Sequence, residues 1–134
     1  MSSIFSKIIS GEIPAYKVAE TDSFLAFLDV FPIAKGHTLV IPKKEIDYIF
    51  DVPDNLYKEL MLFAKEVSIA VKATIPCKKV GMAVIGIEVP HAHIHLIPIN
   101  SVSDMNFSNS KLQFSKEEMA DLAERIKSNY NKVH

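Results

Sequence analysis

Three of the chain's five histidines stand at alternate positions, His91, His93 and His95, in the segment VPHAHIHLIP. Successive side chains of a β-strand point to opposite faces, so a strand over this segment would place all three imidazoles on one face. The apolar residues that alternate with them would then face the core: Ala92, Ile94 and Leu96. Since β-propensity does not favour three histidines on one face, the row predicts a site that does chemistry.

An imidazole in this row has the properties of a nucleophile. With an ordinary pKa near 6.5 it is largely neutral, and one nitrogen keeps a lone pair if the other donates to a fixed acceptor. His93 is best placed to attack, with its two histidine neighbours donating to phosphoryl oxygens. The pattern favours phosphoryl or nucleotidyl transfer without a metal, in which imidazolium and backbone N–H groups offset the developing charge.

A metal site built on the pair His91 and His93 is the alternative. At a rise of about 3.3 Å per residue, His91 and His95 lie some 13 Å apart at Cα, too far for one ion with Zn–N distances near 2.0 Å. Two of the three histidines could bind an ion, and the alternative stays open. The sequence also holds the further ligands that this hypothesis needs: Asp29, His37 and Glu88.

Composition limits the class of protein. The 134 residues are 49% apolar, which predicts one domain over residues 1–134. Charges nearly balance, with 15 Lys and Arg against 16 Asp and Glu, so nothing favours nucleic acid as a partner. No window approaches the roughly 18 apolar residues of a membrane span, so we expect no membrane partner. Cys77 is the single cysteine, which excludes an intramolecular disulfide and suits a cytoplasmic location.

The periodicity of the chain predicts an α+β fold with a mainly antiparallel sheet. A short amphipathic helix in IFSKIIS, ended by Gly11, precedes a hairpin over 15–18 and 24–28 and a third strand in GHTLVIP. A long helix is predicted with Asp54 as its N-cap and Pro76 as its stop, and its stripe consists of Leu56, Leu60, Phe63, Ala64, Val67 and Val71. Two more strands follow, the second carrying the histidines, and we expect a tight turn between them.

The last third of the chain combines a loop and a helix. Residues 100–111 are polar and predict a loop, whose Met105 and Phe107 could cover a neighbouring subunit's pocket. Ser115 and Glu118 have the spacing of a capping box at a helix start. The helix predicted after them has the apolar stripe Met119, Leu122, Ala123, Ile126 and Tyr130.

HAHIHLIP resembles the His-x-His-x-His signature of the histidine-triad (HIT) family of nucleotide hydrolases and transferases. IFSKIISGEIPAYKV and FLAFLDVFPIAKGHTLVIPKKEI also match that family's pattern, so the resemblance covers about residues 4–99, with 100–134 as a C-terminal loop and helix. It implies a five-stranded antiparallel sheet, extended to ten strands in a homodimer. It also implies a hydrolase without a cofactor that cleaves at the α-phosphorus of a purine nucleotide, a phosphoramidate or dinucleoside polyphosphate, through a nucleotidyl-histidine intermediate.

The resemblance also implies roles for individual residues. His93 is the nucleophile, with His91 and His95 as partners at the phosphate and His37 as a further histidine that supports them. Asp29 accepts the ribose hydroxyls. The apolar wall around the base consists of Ile4, Phe5, Ile8, Phe27 and Val30.

Two departures from the family pattern affect these expectations. Ser3 and Ser6 stand where members often have the Cys-x-x-Cys of a structural zinc site, and hydroxyls are poor zinc ligands, so we expect no metal. Before the triad, Ile87 and Glu88 replace the Gln and Ser of a Gly-Gln-Ser loop, which predicts repulsion of anionic leaving groups. Phosphoramidates are therefore expected to be better substrates than dinucleoside polyphosphates. A nucleotide-binding regulatory protein with little turnover is the runner-up.

Overall fold

A computed structural model describes residues 3–134 and has a five-stranded sheet at its centre. All neighbouring strands are antiparallel, in the order β1-β2-β3-β5-β4, and the predicted α+β class is confirmed. The strands are β1 Lys17–Glu20, β2 Phe24–Leu28, β3 Thr38–Pro42, β4 Lys79–Ala83 and β5 Ile94–Ile99.

Three α-helices accompany the sheet: α1 Ile4–Ile9, α2 Asp54–Thr74 and α3 Lys116–Asn131. α2 ends where it was predicted to end, because Pro76 disfavours helical backbone at the preceding residue and Ile75 is extended. The capping box of α3 is present, with Ser115 Oγ accepting from the N–H of Glu118 and Glu118 Oε1 accepting from the N–H of Ser115. Between residues 3 and 134 no helix has the length and hydropathy of a membrane span.

The sheet separates two hydrophobic clusters. The larger lies between the sheet and the helices α2 and α3, and it buries the predicted α3 stripe and most of the α2 stripe. It also contains the apolar residues that alternate with the histidines, Ala92, Ile94 and Leu96, as expected. The smaller cluster lies beneath α1 on the other face and consists of Phe5, Ile8, Leu25, Phe27, Leu39 and Ile41. α1 has only six residues, so it leaves part of this second face open.

Two predicted boundaries are wrong. β1 begins at Lys17 rather than Ala15, and its pairing with β2 is irregular between Lys17 and Ala19. The connection between β4 and β5 is not a tight turn but the whole of residues 84–93. Glycine at 86 has a φ of +72°, which bends this connection in a conformation that other residues rarely adopt.

The prediction that one strand carries all three histidines is also wrong, since only His95 lies within β5. The pairing of β5 with β3 reaches Ile94 opposite Val40 and stops there. Beyond that point the backbone of Ala92 donates to the carbonyl of Ile46 instead of continuing the ladder. The segment of His91 and His93 is therefore fixed by individual hydrogen bonds rather than by strand pairing.

Candidate active site

A cavity of about 490 Å³ occupies the open part of the α1 face. Its lining contains every site residue named from the sequence except His91. The polar residues among those named are Asp29, His37, Glu88, His93 and His95, and the apolar ones are Ile4, Phe5, Ile8, Phe27 and Val30. These side chains come from α1, β2, β5 and two connections. They were grouped from the sequence, and the structure places them around one cavity.

His93 presents one nitrogen as a base and a nucleophile. Its Nδ1 lies 2.8 Å from the backbone carbonyl oxygen of His91. A carbonyl only accepts, so we assign the proton to Nδ1, which leaves a lone pair on Nε2. The ring packs edge-on against Phe5, with 5.0 Å between the centroids, and this contact limits its rotation.

His37 and His95 form a second, directional chain of hydrogen bonds. The backbone N–H of Ile33 donates to His37 Nδ1 at 3.2 Å, so the proton of a neutral His37 is on Nε2. That nitrogen lies 2.9 Å from His95 Nδ1, which must then accept. His95 in turn carries its proton on Nε2. The site thus has an imidazole N–H donor next to the His93 lone pair, with 4.9 Å between the two ring centroids.

Burial keeps these two histidines neutral. Desolvation is the main cause that lowers the pKa of His37 to about 4 and the pKa of His95 to about 3. The Asp29 carboxylate opposes the shift at His37, while the Lys111 ammonium adds to the shift at both rings. At neutral pH both imidazoles are uncharged, in agreement with the assigned tautomers.

His91 has a different position from the one expected. Its ring is fully buried, Ser3 Oγ donates to Nδ1 at 2.9 Å, and Nε2–H donates to the carbonyl of Pro42 at 2.8 Å. Burial also lowers the pKa of His91. Because both ring nitrogens have protein partners, the imidazole is not available to a phosphate. The contact that the resemblance implied is corrected to an indirect one, in which the backbone carbonyl of His91 orients His93.

The partner of His91 belongs to a hydrogen-bonded cluster at the start of α1. Glu45 Oε1 accepts from the backbone N–H of Ser3 at 2.6 Å and from Ser6 Oγ at 2.7 Å. These donors lower the pKa of Glu45 to about 2. Two hydroxyls, a carboxylate and an imidazole that bond to one another do not fit a thiolate-rich structural zinc site.

The geometry changes which residues could bind a metal ion. A chelate of His91 and His93 is not supported, because both nitrogens of His91 and Nδ1 of His93 are already engaged. The described residues offer another set, Asp29, His37 and His95, whose ligand atoms lie within 4.8 Å of one another. An ion there would have to replace the hydrogen bond between the two imidazoles.

Asp29 serves both as a turn residue and as part of the cavity wall. Its Oδ1 accepts the backbone N–H of Phe31 at 2.8 Å, and its Oδ2 lies 3.6 Å from His37 Nε2. Gly36 precedes His37 with a φ of +89°, and a Cβ at Gly36 would lie 2.8 Å from Ile75 Cγ1. Both the left-handed backbone and the close approach require glycine next to this histidine.

Phe107 and Lys111 are among the lining residues that were not assigned to this site from the sequence. The ring of Phe107 lies against His95 of the same chain, with 4.8 Å between the centroids, and Lys111 Nζ donates to the carbonyl of Phe107 at 3.0 Å. Met105 also contacts its own chain, since its sulfur would lie 2.6 Å from a Cβ at Gly81. The only signal in the sequence was apolar residues within a polar loop.

Comparison with known proteins identifies the family of the chain. The profile of the HIT domain matches residues 10–102. The chain belongs to the HIT family. Adenosine 5'-monophosphoramidase hnt1 of Schizosaccharomyces pombe is 35% identical to this HIT protein over 130 residues, which cover 96% of this chain and 98% of the other. An uncharacterized HIT-like protein of Borreliella burgdorferi is 35% identical over 134 residues, 94% of this chain and 96% of its own.

Solved structures agree on the fold of this HIT protein. The crystal structure of a HIT-like protein from Bartonella henselae superposes with a TM-score of 0.83 at 28% sequence identity and covers 96% of both chains. The hypothetical histidine triad nucleotide-binding protein ST2152 from Sulfolobus tokodaii gives a TM-score of 0.82 at 28% identity, over 97% of this chain and 93% of that one. Phe107 and Lys111 lie beyond the residues that the HIT domain matches.

The lowered pKa values make the stability of the protein depend on pH. Unfolded histidines take up protons near their ordinary value of 6.5, whereas folded His37 and His95 do so only near 4 and 3. The contribution of these two rings to the stability of the folded state is therefore largest above pH 6.5. We expect the free energy of unfolding to fall by about 1.4 kcal/mol per pH unit for each of them as the pH drops from 6.5 to 5. Denaturant unfolding across this range measures the slope.

His37→Gln should reduce the slope of the unfolding free energy against pH by the contribution of one proton, about 1.4 kcal/mol per pH unit. His134→Gln is the control, because Glu66 raises the pKa of His134 and its removal should not flatten the profile. Equal slopes for the wild type and His37→Gln would contradict the neutral state of His37.

Proposed function

We propose that this protein is a metal-independent nucleotidyl hydrolase or transferase that acts at the α-phosphorus of a purine nucleotide through a nucleotidyl-histidine intermediate on His93. The observation that carries the proposal is the hydrogen bond from His93 Nδ1 to the His91 carbonyl, which leaves the Nε2 lone pair on a ring that lines the cavity. The cavity volume is in the range of small-molecule sites. Membership of the HIT family and similarity to adenosine 5'-monophosphoramidases support the same assignment.

The proposed reaction has two displacement steps. His93 Nε2 forms a bond to the α-phosphorus while the bond from phosphorus to the leaving nitrogen breaks, and this nitrogen takes a proton from solvent and departs as an amine. Water then attacks the phosphorus and breaks the P–Nε2 bond. It releases one proton to solvent, and His93 returns to its neutral form. The His91 carbonyl stabilises the positive charge that the ring carries between the two steps.

The neighbouring groups stabilise and orient the substrate. His95 Nε2–H donates to a phosphoryl oxygen, and the hydrogen bond from His37 holds the tautomer that makes this possible. Asp29 Oδ2 accepts the ribose hydroxyls, since Asp29 Oδ1 is already bonded to Phe31. The purine lies between the apolar side chains that line the cavity, Ile4, Phe5, Ile8, Phe27 and Val30.

The covalent step is tested by intact mass analysis after a single turnover with adenosine 5'-phosphoramidate in the presence of a chelator. We expect the mass of the wild type to increase by one adenylate, or AMP to be released, and both signals to be lost in His93→Ala. The reason is that Nε2 of His93 supplies the only free lone pair in the assigned tautomers of the triad. Tight nucleotide binding without an adduct or AMP would favour a regulatory binding protein instead. Loss of activity with chelator would favour the metal alternative.

Glu88 is proposed to select the leaving group. It is exposed and lines the cavity from the connection between β4 and β5. A carboxylate there repels further phosphates and can accept a hydrogen bond from an amine. We expect Glu88→Ser to raise kcat/KM for a dinucleoside polyphosphate by about 10-fold relative to the phosphoramidate, which corresponds to about 1.4 kcal/mol. Glu59→Ser, an exposed residue of α2, is the control. A polyphosphate preference in the wild type would contradict this role.

A homodimer in the cytoplasm is part of the same proposal. β4 is an edge strand, and an unpaired edge favours pairing with a second copy. Exposed apolar side chains accompany it, Met82 on β4 and Leu62 and Ile69 two turns apart on α2. The location rests on the single cysteine of the sequence.

Light scattering coupled to size exclusion tests the dimer. We expect twice the mass of the chain for the wild type and a monomer for Leu62→Glu combined with Ile69→Glu, because charges cannot be buried unpaired in an interface. Val133→Glu, at an exposed apolar position near the C-terminus, should remain dimeric. A monomeric wild type would exclude the dimer, and a dimeric double variant would place the interface elsewhere.

A further inference from the structure

The cavity presents a problem of charge to an anionic substrate. Two carboxylates line it, Asp29 and Glu88, and the described residues contribute one formal cation, Lys111. The imidazoles of His37 and His95 offer a hydrogen-bond donor but no charge at neutral pH. A site that stabilises a phosphoryl group without a metal needs a positive charge near the phosphorus. Among the described residues that line the cavity, Lys111 is the one that carries such a charge.

Lys111 is held at the cavity by the segment that carries it. The backbone N–H of the next residue, Leu112, donates to the carbonyl of Pro32 at 2.8 Å. On the other side, the ring of Phe107 packs against His95 and lies 6.4 Å from the ring of His37. The loop between these two anchors is closed by the hydrogen bond from Asn109 N–H to the carbonyl of Asn106.

The ammonium group of Lys111 is available to a ligand. It has three donors, and one of them is bonded to the carbonyl of Phe107 at 3.0 Å. No carboxylate of residues 3–134 forms an ion pair with it. Its charge acts on the histidines of the cavity, since it lowers the pKa of both His37 and His95. A positive charge that disfavours imidazolium at these rings would favour an anion at the same place.

We propose that Lys111 binds the phosphate group that His93 attacks and supplies the positive charge that the neutral imidazoles lack, a role that rests on the function proposed above. The lysine comes from the segment beyond the residues that the HIT domain matches. The segment before β5 thus provides the nucleophile, β5 provides the N–H donor, and the C-terminal segment provides the charge. Charged hydrogen bonds of this kind are about twice as strong as neutral ones.

The test compares the binding of AMP and of adenosine by calorimetry. Lys111→Met removes the charge and keeps the apolar stem, and we expect it to weaken AMP binding by about 10- to 100-fold and adenosine binding by less than 2-fold. Lys111→Arg should stay within a few-fold of the wild type for both ligands. Lys58→Met, an exposed lysine of α2 outside the cavity, should change neither. Added salt should reduce the AMP advantage in the wild type more than in Lys111→Met.

Two results would overturn the role of Lys111. One is an equal change in AMP and adenosine binding in Lys111→Met, and the other is a wild type that binds AMP no more tightly than adenosine. Neither measurement requires turnover, so the outcome is separate from that of the adenylate adduct. If AMP binding depends on Lys111 but no adduct forms, the catalytic function fails and the phosphate site stands. If the adduct forms but AMP binding is unchanged in Lys111→Met, the catalytic function stands and the phosphate site at Lys111 fails.

Discussion

The hydrogen bond from His93 Nδ1 to the His91 carbonyl determines what the site can do. With the proton on Nδ1, Nε2 is a nucleophile, whereas the other tautomer would present an N–H to the substrate. The bond exists only if the backbone at His91 is fixed. Because β5 has not yet begun there, the fixing comes from outside the sheet: the His91 ring bonds to Ser3 and Pro42, and the next residue bonds to Ile46.

A long-range network thus replaces regular strand pairing at the nucleophile. Ser3 and His91 are 88 positions apart, and Ser3 is itself tied to Glu45. The position of α1 therefore affects the site through two contacts. Ser3 at its start bonds to the His91 ring, and Phe5 within it packs on the His93 ring. Ser3 and α1 are therefore part of the geometry of the site as well as of the wall around the ligand.

The elements with a strong period were predictable because burial of one face decides them. The stripes of α2 and α3 and the apolar residues between the histidines were correct for this reason. The polar residues named from the sequence line the cavity with the exception of His91, whereas Lys111 lines it without having been named. The ring partners of His91, Ser3 and Pro42, come from other parts of the chain, and no local pattern announces such contacts. The true start of β5 was missed for the same reason.

The positions of Phe107 and Lys111 at the cavity could not be predicted from the sequence. Loops have no period, and their side chains are placed by single anchors such as the bond from Leu112 to Pro32. Burial makes the imidazoles of His37 and His95 neutral, so the order that fixes their tautomers also removes the charge that a phosphate needs. A site that buries its histidines must obtain this charge from a residue with a better solvated side chain. Lys111 is exposed and yet lines the cavity, which meets both conditions.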